Sequence, residues 1–106
     1  MDLSNGLSKT KYFGRDALNC YGTTTVEGIY GAGVIVLLET IDEDGDWVTV
    51  TGWSDYDTSN AAAGDIYAVG SGTYRLKVSH TAYAEDDTDF ENPLERHVTY
   101  SDEEVY

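Results

Sequence analysis

Val34-Ile35-Val36-Leu37-Leu38 is apolar at every position, so an extended segment there has two faces to cover rather than one. A short buried helix is the competing reading. The β-branched content and the glycines at 31 and 33 favour a strand, and a strand with two apolar faces belongs in the middle of a sheet. With 106 residues to build around it, the chain has room for one core and one domain.

The rest of the chain supplies matching strands. Thr73 to Tyr83 alternates cleanly, with Tyr74, Leu76 and Val78 on one side and Arg75, Lys77 and Ser79 on the other. Trp47 to Trp53 alternates as well, Thr23 to Tyr30 is rich in β-branched residues, Ile66 to Val69 is a short strand, and Arg96 to Tyr100 is a candidate last strand. Asp42-Glu43-Asp44-Gly45-Asp46 and Gly70-Ser71-Gly72 carry turn chemistry, and Glu85 to Asp89 reads as an acidic loop. Ser54 to Gly64, polar and small, is expected to be irregular, with room for a helical turn. No segment carries sustained helical periodicity. The expectation is an all-β chain: an antiparallel β-sandwich of about 6–8 short strands with immunoglobulin/fibronectin-like architecture. It should be a single domain over residues 1–106, its core in about 21–101, with 1–9 and 102–106 as tails. Val34, Val36, Leu38, Val48, Val50, Tyr74, Leu76 and Val78 are the expected core between two sheets.

Charge narrows the function. Twenty acids against six bases give a net charge of −14, which opposes binding to nucleic acid or anionic lipid, since both depend on Lys and Arg. No apolar run approaches the roughly 20 residues of a spanning helix, so no membrane insertion is expected. The single Cys20 excludes an internal disulfide framework and any Cys-rich zinc site; it reads as a small buried hydrophobe, with a dimer-forming thiol as the sharper alternative. The start of the sequence carries no signal-peptide pattern. Few bases among 12 threonines and 9 tyrosines suit an exported protein in mature form, while a cytosolic location stays open.

"VIVLLETIDEDGDWVTVTGWSD", "YAVGSGTYRLKVSHTAY" and "ERHVTYS" together resemble a group of small exported β-sandwich proteins of unknown function from Gram-positive, often gut-dwelling, bacteria. Tyr67, Val69, Gly72, Tyr74, Arg75, Leu76, Lys77 and Val78 carry the pattern, and the resemblance spans roughly residues 21 to 101. It implies an extracellular sandwich and supplies no catalytic residues. The Gly72-x-Tyr74 step also resembles strand F of immunoglobulin-like domains, with Leu76 where a cysteine would close the bridge between sheets.

Three constellations could carry chemistry. His80 and His97 with Cys20 are too few, and lack any nucleophile signature, so no enzyme is expected; His80, in phase with Leu76 and Val78, reads as a hydrogen-bonded residue at the core margin. Asp42, Asp44 and Asp46, spaced i, i+2, i+4, are the candidate metal ligands, and calcium is the cofactor their oxygens would take. Their register departs from the EF-hand, and a solvated, charge-repelling hairpin tip is the plainer reading. Trp47, Thr49, Thr51 and Trp53 share one face of a strand and would form an aromatic and hydroxyl platform for a sugar if Val48 and Val50 point inward; the alternative has the tryptophans closing the core. The expected function is a non-catalytic exported module acting by surface contact in adhesion, assembly or host interaction. The alternatives are a carbohydrate-binding module, with or without calcium, and a cytosolic acidic interaction protein. The partner is a protein or glycan, with self-association through strand edges as a further route. The basic arm Thr10 to Arg15 is either a strand donated to a neighbour or an ordinary first strand.

Overall fold

A computed structural model describes residues 1–28 and 30–106. Among them the chain forms eight strands and no helix: β1 (Asp2–Tyr12), β2 (Arg15–Thr25), β3 (Gly31–Ile41), β4 (Trp47–Thr58), β5 (Asn60–Ala68), β6 (Thr73–Tyr83), β7 (Pro93–Tyr100) and β8 (Glu104–Val105). A three-stranded sheet in the order β1-β2-β5 faces a second in the order β4-β3-β6-β7, with β8 pairing the first two residues of β6. All pairings are antiparallel. Compared with a constant-type immunoglobulin sandwich, the fourth strand joins the sheet of the third rather than that of the first two.

The alternation of the strands builds the interior. Val34, Val36 and Leu38 on β3 and Leu76 and Val78 on β6 meet Leu18 and Cys20 on β2, all essentially without solvent contact. β3 is central, paired on one side by β4 and on the other by β6. Two expected core residues are misplaced: Val48 and Val50 are 40% and 38% exposed. They lie on β4, at the edge of its sheet, and a bulge there leaves Val50 without a partner between Thr49 and Thr51.

The stretch from Ser54 to Gly64 is strand rather than irregular. β4 and β5 are separated by Ser59 alone, which takes a left-handed φ of 67° and carries the chain from one sheet to the other. Its N–H donates to the Tyr30 carbonyl and its carbonyl accepts from the Val26 N–H, so the corner is hydrogen-bonded on both sides. Ala61, fully buried just past the corner, explains the small residues: the chain enters the sandwich there.

Neither expected tail is loose. Residues 2–12 form β1, paired along their whole length with β2, so the basic arm is the first strand of its own sheet. At the other end Tyr106 exchanges two backbone hydrogen bonds with Gly72, and its hydroxyl donates to the carbonyl of Ala17 at 2.6 Å.

At the start of β6 the Tyr74 hydroxyl donates to the carbonyl of Gly70 at 2.9 Å. The bond reaches back over the turn before β6, in the manner of the tyrosine corner described for immunoglobulin-like sandwiches, two residues before the buried Leu76. Tyr74→Phe keeps the packing and removes the bond, so it should lower unfolding free energy by about 1 kcal/mol in urea titration.

Candidate interaction surface

The bulge at Val50 decides where the Trp47–Trp53 residues go. Beyond it Thr51 and Trp53 oppose Leu38 and Val36, on the core side; before it Trp47 and Thr49 oppose Ile41 and Glu39, on the outer side. The four residues therefore do not share a face, and the expected sugar platform is divided between the two sides of the sheet. Trp53 packs against the core and meets Tyr67 edge-on at 6.3 Å.

Trp47 belongs instead to a cluster on the outer face of the β4-β3-β6-β7 sheet. The Arg75 guanidinium lies over its indole at 4.1 Å and over the Tyr100 ring at 4.5 Å. The Arg75 Nε donates to Glu39 Oε1 at 2.9 Å, and Glu39 is only 7% exposed. A guanidinium between two rings, tied to a nearly buried carboxylate, is held more firmly than a free surface arginine. The next rows across the sheet bring Leu37 beside Lys77 and Tyr100, then Ile35 beside Ser79 and Val98, then Gly33 beside Tyr56, Thr81 and Arg96. At the far end Tyr56, Tyr83 and Phe90 pack together with ring centroids 5.3–6.2 Å apart. The face is apolar in the middle, aromatic at both ends, and carries Arg75, Lys77 and Arg96 against Glu39.

The Asp42–Asp46 turn does different work. Asp42 Oδ1 accepts from the backbone N–H groups of both Asp44 and Asp46 at 2.9 Å, so this carboxylate shapes its own hairpin. Among the described residues no group of three or more His, Cys, Asp or Glu side chains is placed to hold a metal ion, so Asp42, Asp44 and Asp46 are not brought together as ligands. Asp87 likewise accepts from the N–H groups of Glu91 and Asn92.

His80 sits in the interior rather than at its margin. One ring nitrogen, Nδ1, is 3.0 Å from both the Thr23 carbonyl and Thr24 Oγ1; the other, Nε2, is 2.8 Å from Thr99 Oγ1, which also accepts from Asn5 Nδ2 at 2.9 Å. The carbonyl only accepts, which assigns the proton to Nδ1 and makes Nε2 the acceptor for Thr99. Burial holds the His80 pKa below its ordinary value. Cys20 is buried with its thiol pKa pushed up to about 12 by desolvation, so it stays protonated and unreactive.

Sequence reasoning missed the outer-face cluster. The outward direction of Arg75 and Lys77 was legible from alternation, but joining them to Trp47 needs the bulge, which no residue announces. No protein-family model, curated protein or solved structure matches the chain.

Proposed function

We propose that this chain is a non-catalytic, exported interaction module that docks a protein partner on the outer face of its β4-β3-β6-β7 sheet. The observation that carries the reading is β3 itself. Its sequence is apolar on both sides, yet the second sheet covers only one; Ile35 and Leu37 lie half-buried on the other, with no further layer over them among the described residues. The surroundings support a protein rather than a bare apolar contact. Trp, Tyr and Arg are the residues that dominate interface energetics, and here they flank the apolar rows. Three of the six bases of a chain of charge −14 lie on this face, so the partner would bring carboxylates to Arg75, Lys77 and Arg96. A buried, protonated Cys20 and a His80 with both nitrogens engaged support a non-catalytic role. Export rests on the composition and the resemblance to exported sandwich proteins; a cytosolic acidic interaction protein would use the same face, and fractionation of the native cells separates the two.

A photo-crosslinking residue at Tyr100 should trap one discrete protein species in native cells, and Lys77→Glu should abolish it. The same residue at Ser8, on the other sheet, should trap none. Equal labelling from both positions, or trapping indifferent to Lys77→Glu, would overturn the reading.

A further inference from the structure

We propose that the outer face of the β1-β2-β5 sheet carries a site for a neutral, pyranose-type glycan, centred on the groove between Tyr21 and Ile66. Three ladder rows make this face: Ser4–Thr23–Ala62, Gly6–Tyr21–Gly64 and Ser8–Asn19–Ile66. None of these nine residues is charged, on a chain whose net charge is −14; alternation turns Asp65 to the side of Cys20, away from this face. A shallow, open groove of about 340 Å³ lies between β2 and β5 here, at the small end of the range for ligand sites, with Asp65 the charged residue at its border.

Two glycines shape it. Gly64 has φ +138°, and a Cβ there would fall 2.0 Å from the Cys20 carbonyl oxygen, so the floor admits no side chain. A Cβ on Gly6 would fall 2.1 Å from Cε1 of Tyr21, so the tyrosine ring is laid across β1 rather than standing off the sheet. Its upper side stays open: Tyr21 is 46% exposed. An aromatic bench beside a low floor fits the flat C–H face of a pyranose, and Asn19, Thr23 and Ser8 supply donors and acceptors for its hydroxyls. Tyr, Ser, Gly and Asn give adaptable contact at small entropic cost, which suits polar recognition without charge. The negative field of the rest of the chain disfavours an anionic sugar. This site lies on the opposite sheet from the proposed protein contact, so either can fail alone.

The test is amide chemical-shift mapping of isotope-labelled protein with oligosaccharides of glucose, mannose, galactose and xylose, and with an oligogalacturonate as the anionic probe. At least one neutral oligosaccharide should give saturable shifts in residues 19–23 and 62–66, with affinity in the millimolar range or better. Tyr21→Ala should weaken it about tenfold or more. Ala62→Gln, which fills the groove from an exposed position, should do the same with the melting temperature unchanged. The absence of saturable shifts with every neutral sugar, shifts that persist in both variants, a preference for the uronate, or shifts confined to the Trp47–Tyr100 face would each overturn the proposal.

Discussion

Leu76→Ala will lower the unfolding free energy by about 2–5 kcal/mol, the effect expected of truncating a fully buried leucine. Leu76 has no solvent contact, lies directly across from Leu38 on the core side of β3, and follows the hydrogen-bonded Tyr74 by two residues. Its backbone N–H accepts no slack either, since it donates to the Ser101 hydroxyl at 2.8 Å. Truncation leaves a void walled by β-strands pinned in register, and such walls collapse little. Leu37→Ala gives the internal comparison: one residue before Leu38 and half-buried on the outer face, it should cost well under half as much when measured by urea titration at constant m-value. Equal losses from the two leucines would mean that the inner and outer faces are not distinguished as described.

The same contrast shows which parts of the fold were legible. β6 was readable in its extent, because Thr73 to Val78 alternates between half-buried and buried residues and the strand is bounded by Gly70-Ser71-Gly72 and the acidic loop; that Ser79 to Tyr83 is buried on both faces was not. β3 and the Asp42–Asp46 hairpin followed from a continuous apolar run and from Asp-Gly turn chemistry. The β1–β2 hairpin was hidden. Its two-residue turn is Phe13-Gly14, with φ of 50° and 78°, and phenylalanine is not a residue that announces a left-handed position. Phe13 stands 89% exposed at that tip, beside Tyr12. The corner at Ser59 was hidden for a related reason: a serine in left-handed conformation joins two strands with no glycine or proline to mark the break. For the site, outward Arg75 and Lys77 were legible from period-2 alternation alone. The division of Trp47 from Trp53 was not, because a bulge shifts every following side chain to the other face and depends on the partner strand as much as on its own sequence.

His80→Leu will cost about 3 kcal/mol at neutral pH, and the size of that cost will shrink on acidification. Leucine roughly fills the space of the ring, so the loss comes from the polar groups it abandons: the Thr23 carbonyl and the hydroxyls of Thr24 and Thr99, drawn from β2 and β7 on opposite sheets. The pH dependence follows from the direction of the shift. Desolvation is the largest influence and lowers the His80 pKa from its ordinary 6.5; His97, directly across on β7, adds to the lowering when charged, and the bond to the Thr23 carbonyl opposes it. The folded state therefore binds the proton less readily than the unfolded chain. Stability linked to His80 is complete above pH 6.5 and is lost as pH falls from there through the lower folded value. Urea titrations of the wild type and of His80→Leu at pH 7.5 and at about pH 5 should thus show the gap between them narrowing. A gap that is constant across that range would mean that burial does not resist protonation of His80, and no gap at either pH would mean that the bridge between the sheets contributes nothing to holding them together.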